Sequence, residues 1–129
     1  MAQAQLVFVY GSLMRGLYLH HLMEAGTFVG EGTARGMLVS LGRYPGMVEG
    51  SGVVRGELYR FDDLPGALDV LDDIEEYDPA DPAASPYVRV ERPVTTSDGT
   101  QLDAWLYVYR GSVAGAPRID GGDWRSTLR

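Results

Sequence analysis

Cysteine, lysine and asparagine are absent from the sequence, and each absence excludes a class of chemistry. Without cysteine in any of the 129 residues, the chain has no disulfide framework, no thiolate metal site and no cysteine nucleophile. Because lysine is absent, all 11 cationic side chains are arginine. Schiff-base chemistry, a lysine general base and a phosphate-loop lysine are therefore excluded. Without asparagine there is no glycosylation sequon.

Long apolar runs and net positive charge are also missing. The longest apolar run near the start, residues 6–10, is far shorter than a membrane span. The five residues before it carry no basic side chain, so we expect no signal peptide. A formal net charge of −7 argues against nucleic acid or an anionic membrane as the main partner. We expect a cytoplasmic protein with one domain, residues 1–129.

The 17 glycines and 7 prolines divide the chain into short segments, which is typical of a compact, strand-rich domain. The pattern predicts loops at 42–52 and 77–86, glycine-punctuated chain at 26–36, and a tail from 112 onward with little pattern beyond Ile119 and Trp124. It predicts two helices, one at 17–24 and one that begins with an N-cap at Asp62-Asp63 and ends at about Ile74 or Glu75. The predicted strands are 6–10, 37–41, 53–61, 87–95 and 101–110, the last two forming a hairpin around Asp98-Gly99. We therefore expect an α+β fold, with about five or six strands in a mixed, largely antiparallel sheet or small barrel.

The second predicted helix has a carboxylate where its apolar face should continue. Its stripe is Leu64, Leu68 and Leu71, and the next position on the same face is Glu75, about 20° from Leu68. Burial and the negative end of the helix would both raise the pKa of Glu75 towards neutrality, which suits proton transfer. The alternative is a helix-end glutamate that points into solvent or pairs with an arginine such as Arg89.

The other acidic residues of the segment 62–81 and the two histidines give no metal signal. The segment contains no basic residue, but its spacing fits no calcium loop, so we expect a solvated acidic face. His20 and His21 are adjacent and would point about 100° apart on a helix, so they could not easily share a metal. We predict no metal site.

Residues 10–13 form a second candidate site, at the exit of the first predicted strand. Gly11 would let a ligand approach the main chain, and the exposed N–H groups could bind a carboxylate or an oxyanion. The alternative is an ordinary strand-to-helix turn with Ser12 as N-cap. Tyr107 and Tyr109 share one face of the last strand with Trp105, either lining an aromatic cavity or packing under a helix.

These segments together resemble the γ-glutamylcyclotransferase family, including its γ-glutamylamine cyclotransferase and AIG2-like branches. The resemblance covers nearly the whole chain. It rests on VFVYGSLMRG (7–16), SLGRYPGMVEG (40–50), VVRGELYRFD (53–62), LDDIEEY (71–77), YVRV (87–90), AWLYVYRG (104–111) and GDW (122–124).

The resemblance implies a small β-barrel with flanking helices. It also implies an enzyme that cleaves a γ-glutamyl amide with the substrate's own α-amine, giving 5-oxoproline and a free amine, without metal or organic cofactor. Residues 71–75 match the stretch of the catalytic glutamate, so Glu75 would act first as base and then as acid. The substrate-binding residues would be Tyr10, Gly11, Ser12 and Leu13, with Tyr107 and Tyr109 as further candidates.

One departure and three open questions accompany the resemblance. A glycine often follows the catalytic glutamate, whereas Glu76 stands here and could shift the pKa of Glu75 or narrow the entrance. The substrate would be a γ-glutamylamine or a γ-glutamyl-tagged metabolite rather than glutathione, its amine half contacted by loops 42–52 and 77–86. A non-catalytic small-molecule-binding module and an acidic metal-dependent hydrolase are the alternatives. No pattern indicates a particular oligomeric state.

Overall fold

The computed structural model describes residues 5–17 and 19–127. Five strands close into a barrel in the order β1-β3-β2-β4-β5. The strands are β1 (Leu6–Val9), β2 (Gly26–Ser40), β3 (Pro45–Phe61), β4 (Tyr87–Thr96) and β5 (Gln101–Tyr109). β1 pairs parallel with β5 and antiparallel with β3, and the remaining pairs are antiparallel. The predicted α+β barrel with mixed strand pairing is confirmed.

One α-helix, α1 (Leu64–Ile74), packs against the barrel. Its N-cap is Asp63, whose side chain accepts a hydrogen bond from the Gly66 N–H, as the sequence predicted. The prediction of a second helix at 17–24 is wrong, because only a four-residue 3-10 turn, His20–Met23, forms there. Residue 18 lies outside the described residues, as do residues 1–4 of the segment on which the signal-peptide argument rested. Within the described ranges, no helix is long and apolar enough to cross a membrane.

The predicted loop at 42–52 is wrong as well, because residues from Pro45 onward belong to β3; the glycine-punctuated segment 26–36 belongs to β2, and the two strands form one long hairpin. Their glycines allow close backbone approach instead of ending strands. Gly32 pairs with Gly56 across the hairpin, and a Cβ on Gly56 would lie 2.3 Å from the Val9 carbonyl oxygen of β1. Register shifts at Phe28/Gly30 and Arg35/Met37 bend β2 around the barrel.

The core fills the barrel and extends beneath α1. All four residues of β1 are buried, as expected for a central strand covered on both faces. The apolar stripe of α1 is buried as predicted. The tail, which showed little pattern in the sequence, also packs on the barrel, with Ile119 and Trp124 both buried. Three further 3-10 turns complete the described chain: Pro82–Ala84, Asp120–Gly122 and Trp124–Thr127.

Candidate active site

A cavity of about 610 Å³ opens where β1 leaves the barrel. The end of β1, the C-terminal end of α1 and the end of β5 meet at its walls. The cavity brings together every residue that the sequence proposed for the site: Tyr10, Gly11, Ser12, Leu13, Glu75, Tyr107 and Tyr109.

Glu75 is the C-cap of α1 and faces this cavity from the buried side of the helix. Its N–H donates to the Leu71 carbonyl at 2.9 Å, so the helical geometry persists through residue 75 and the side chain stays on the inward face. Burial, and secondarily the charge of Glu76, raise the pKa of Glu75 to about 7. Among residues 5–17 and 19–127, no arginine or histidine forms an ion pair with Glu75; Arg89 pairs with Asp72 instead. The alternative of a Glu75–Arg89 pair is therefore wrong.

Tyr10, Tyr87 and Tyr107 surround the carboxyl group of Glu75, and all three have hydroxyls that donate to the protein itself. Tyr10 donates to the Tyr107 carbonyl at 2.6 Å and Tyr87 to the Pro45 carbonyl at 2.7 Å. Burial raises the pKa of Tyr10 and of Tyr87, and the neighbouring charge of Glu75 raises both further. The tyrosines therefore stay protonated and line the cavity beside the carboxyl group.

The second wall is a tight turn formed by residues 11–14. The Met14 N–H donates to the Gly11 carbonyl at 3.0 Å and closes the turn. Outside the turn, the Ser12 carbonyl accepts from the Leu19 N–H at 2.9 Å, and the Leu13 carbonyl accepts from His20 Nδ1 at 3.0 Å. In the described part of the chain, the N–H groups of Ser12 and Leu13 have no acceptor.

The direction of the Leu13 N–H follows from this bonding. A trans peptide holds its C=O and N–H on opposite sides. Since the Ser12 carbonyl is directed at Leu19, the Leu13 N–H of the same peptide is directed away from it. Two unpartnered N–H groups thus lie in a segment that lines the cavity, an arrangement suited to a carboxylate or an oxyanion. The alternative of Ser12 as a helix N-cap is wrong, because Leu19 precedes the first 3-10 turn and makes no side-chain cap.

Asp72 fixes the position of α1, and the sequence analysis assigned it wrongly to a solvated acidic face. Its side chain is buried, accepts from Arg89 Nη1 at 2.9 and 3.1 Å, and accepts from the Tyr107 hydroxyl at 2.6 Å. These bonds tie α1 to the β4–β5 hairpin one turn before Glu75. The helical period could have identified Asp72, because it lies four residues after Leu68 and therefore on the buried face. Tyr107 thus both lines the cavity and packs under the helix.

The exposed residue Glu76 ends α1 with a left-handed backbone, at a φ of +58°. Its N–H donates to the Asp73 carbonyl at 3.2 Å, and the Tyr77 N–H donates to the Asp72 carbonyl at 2.8 Å. These two bonds define a Schellman motif, in which glycine is the usual left-handed residue. The departure from the family pattern thus places an L side chain in a strained conformation at the rim of the cavity.

Other rim residues come from the segments expected to contact the amine half of a substrate. Arg43 and Tyr44 line the cavity just before β3, and Pro86 and Tyr87 line it at the start of β4. Sequence reasoning missed Tyr87, whose position in the cavity depends on barrel closure. No group of three or more potential metal-ligating side chains occurs in the described ranges.

Comparison with known proteins connects this geometry to one family. The family model described as "Gamma-glutamyl cyclotransferase, AIG2-like" matches residues 7–126. The chain is 35% identical over 119 residues to the gamma-glutamylcyclotransferase family protein YtfP of Escherichia coli K12, covering 92% of this chain and 94% of that protein. It is 34% identical over 105 residues to the gamma-L-glutamyl-butirosin B gamma-glutamyl cyclotransferase of Niallia circulans, covering 80% and 65%.

Solved structures agree with the sequence comparison. The crystal structure of an AIG2-like protein from Mus musculus superposes with a TM-score of 0.71 at 26% identity, covering 92% of this chain and 88% of that one. Because the family model spans most of the sequence and close relatives match over most of its length, the chain belongs to the AIG2-like gamma-glutamyl cyclotransferase family.

Proposed function

We propose that this protein cyclises the γ-glutamyl group of a small γ-glutamyl amide to 5-oxoproline and releases the free amine, with Glu75 moving the proton. The observation that carries the proposal is a carboxyl group with a pKa raised to about 7, in one cavity with a turn that has two N–H groups without an acceptor among residues 5–17 and 19–127. A general acid–base residue works best when its pKa lies near the working pH.

The reaction needs one group that first accepts and then donates a proton. Glu75 as carboxylate takes a proton from the substrate α-ammonium, and the resulting amine attacks the γ-carbonyl carbon to close a five-membered ring. The tetrahedral intermediate then collapses, the C–N bond to the leaving amine breaks, and protonated Glu75 gives its proton to that nitrogen. Because ring closure is intramolecular, the cavity has mainly to hold the substrate in a folded conformer.

The walls of the cavity suggest how the substrate is held. The N–H groups of Ser12 and Leu13 would bind the α-carboxylate of the γ-glutamyl group, which carries full charge throughout the reaction. Tyr10, Tyr107 and Tyr109 would contact it with their rings, since the hydroxyls of Tyr10 and Tyr107 already donate to protein groups. Their burial also keeps Glu75 out of bulk water, which sustains its raised pKa.

The size of the cavity supports a substrate with a substantial amine half. About 610 Å³ lies in the range of sites for drug-sized ligands, and a γ-glutamyl group fills only part of it. The amine half would lie towards Arg43 and Tyr44. The name of the Niallia circulans relative indicates a γ-glutamyl group attached to butirosin B, which is consistent with a large amine half in this family.

Glu75→Gln tests the proposal, with Asp73→Asn as the matched control. Both substitutions remove one carboxylate from the end of α1, but Asp73 is exposed and lies outside the cavity. With γ-glutamylbutylamide and γ-glutamylputrescine as substrates, we expect Glu75→Gln to lower 5-oxoproline release by about 10²–10⁴-fold and Asp73→Asn to leave it within about twofold of wild type.

The pH dependence supplies a second criterion. For the wild-type protein, kcat/KM should rise with pH through a pKa near 7, because the free enzyme must carry Glu75 as carboxylate. Undiminished product release by Glu75→Gln would refute the mechanism. Stabilisation of the wild-type protein by 5-oxoproline without any turnover would favour a binding module instead.

A further inference from the structure

Besides Asp72, which fixes the position of α1, the described chain has one more buried carboxylate, Glu57 on β3, to which the proposed mechanism gives no role. Its side chain is only 1% exposed, and the hydrogen bonds to it are complete. It accepts from the Arg15 main-chain N–H at 2.9 Å, from Arg15 Nε at 3.2 Å, from the Tyr59 hydroxyl at 2.9 Å and from Arg125 Nη1 at 3.1 Å. Four donors from three separate segments thus meet on one carboxylate.

Two of these four bonds hold Arg15, which lies two residues beyond Leu13. Glu57 binds both the main chain and the guanidinium of Arg15, and Arg125 Nη2 donates to the Arg15 carbonyl. The N–H and the C=O of Arg15 are therefore both held by residues distant in sequence. Arg125 comes from the last 3-10 turn, so the C-terminal segment holds the chain directly after the turn.

The same turn is held on its other side by the 19–20 segment. Leu19 and His20 bind the carbonyls of Ser12 and Leu13, while Glu57 and Arg125 hold Arg15. Loss of the second anchor would leave the turn attached on one side only, and the direction of its two unpartnered N–H groups would no longer be fixed. A displacement of about 1 Å takes an N–H···O contact out of hydrogen-bonding range, which weakens binding of the group that accepts it.

The charge of Glu57 is part of this arrangement. Burial by itself would raise its pKa, but the hydrogen bonds from Arg15, Tyr59 and Arg125 together lower it. Glu57 is therefore ionised at neutral pH and balances two guanidinium groups. A buried ion pair is not needed for stability, since apolar residues of similar volume commonly serve as well. Here the ion pair of Glu57 serves to fix the backbone conformation at Arg15.

We propose that Glu57 and Arg125 are positioning residues for the turn 11–14, acting through Arg15 to aim the Ser12 and Leu13 N–H groups at the α-carboxylate of the ligand. This inference rests on the proposed function. It predicts that loss of either residue weakens ligand binding while Glu75, on the opposite wall, continues to transfer protons.

The test uses Arg125→Gln, Arg125→Lys and Glu57→Gln, with Arg118→Gln as the matched control. Arg118 is an exposed arginine of the same C-terminal segment; its main chain forms a bridge to Val39, and its side chain has no ion pair with any residue that the structure describes. Arg125→Gln should raise KM about tenfold with kcat within about twofold and with the acid limb of the pH profile unchanged. Arg125→Lys should restore part of the loss, Glu57→Gln should raise KM at least as much as Arg125→Gln, and Arg118→Gln should change neither parameter.

Calorimetric binding of 5-oxoproline, and of its uncharged carboxamide as a control, gives a readout that needs no turnover. Arg125→Gln should weaken binding of 5-oxoproline about tenfold and leave the weaker carboxamide binding unchanged. Unchanged KM and 5-oxoproline affinity in Arg125→Gln, or a fall in kcat at constant KM, would overturn the inference. If Glu57→Gln fails to fold, Arg125→Gln decides alone, because its side chain is 37% exposed. Failure of the proposed function is distinct, since the wild-type protein would then show no turnover.

Discussion

Glu76→Gly should make the protein both more stable and active at lower pH. Glu76 has a φ of +58°, a left-handed conformation that costs an L residue about 1–2 kcal/mol and costs glycine nothing. Glycine also increases the conformational entropy of the unfolded chain, which lowers the free energy of unfolding by about 0.5–1 kcal/mol and offsets part of this gain. The expected net gain is about 0.5–1 kcal/mol in the free energy of unfolding.

The expected shift in the melting temperature, Tm, is obtained from the number of residues in the chain. With an unfolding entropy of about 2.1 cal/mol/K per residue, the 129 residues give about 0.27 kcal/mol per kelvin. A gain of about 0.5–1 kcal/mol therefore raises Tm by about 2–4 °C. Differential scanning calorimetry at pH 7 resolves such a shift.

The effect on activity has a separate physical origin. The charge of Glu76 is the second cause, after burial, of the raised pKa of Glu75. Removing that charge lowers the pKa of Glu75, so the acid limb of kcat/KM moves to lower pH. The shift should be modest because burial, the larger cause, is unchanged.

Two control variants separate strain from charge. Glu76→Gln removes the charge and keeps the strain, so it should move the acid limb to lower pH but raise Tm at pH 7 less than Glu76→Gly does. Glu76→Asn removes the charge and introduces a residue that tolerates the left-handed region, so it should give the limb shift and an intermediate Tm. If Glu76→Gln stabilises the protein as much as Glu76→Gly does, the strain argument is refuted. If the acid limb of kcat/KM stays at the wild-type pH in all three Glu76 variants, the charge argument is refuted.

Two further predictions concern stability. Because the pKa of Glu75 is raised from 4.5 to about 7, folding opposes its ionisation, and the wild-type protein loses stability as pH rises from about 4.5 to 7. Glu75→Gln should therefore exceed wild type by about 1–3 kcal/mol in denaturant unfolding at pH 8 and match it at pH 4; a difference independent of pH would contradict this. Gly56→Ala would place a Cβ 2.3 Å from the Val9 carbonyl oxygen and 2.6 Å from the Phe8 ring, so we expect a loss of about 2–4 kcal/mol. An unchanged Tm would show that β1 and β3 are not held so close together.

Much of the fold could be predicted from local pattern. The β4–β5 hairpin, α1 and β1 depend on alternation, helical period and turn residues that lie side by side in the sequence. The sequence predicted the last part of β2 (37–41) and the second half of β3 (53–61, through Gly56), but it missed 26–36 and the start of β3 because glycines such as Gly32 resemble breakers in a single chain. They allow close approach only once the barrel has closed, and that is a tertiary effect which overrides local propensity.

The candidate site was predictable only in part, for a related reason. Helical period alone places Glu75 on the buried face of α1, and strand-end chemistry alone marks the turn after Tyr10. Their meeting in one cavity depends on β1 pairing with both β3 and β5, which no local pattern reports. The role proposed for Arg125 could not be predicted for the same reason, because the C-terminal tail shows no helical or strand periodicity and the residues that Arg125 contacts are distant in sequence.

The three buried or partly buried carboxylates show why burial alone does not identify a group that can transfer protons. Asp72 and Glu75 lie one turn apart on the buried side of α1, and Glu57 is buried still more deeply. Asp72 and Glu57 each receive hydrogen bonds from an arginine and a tyrosine. Throughout the described chain, no side chain donates to the carboxyl group of Glu75, and the like charge of Glu76 raises its pKa further. A buried carboxylate that accepts hydrogen bonds from arginine and tyrosine side chains stabilises the structure. A carboxyl group in a cavity that accepts no such bonds can instead exchange a proton with a ligand.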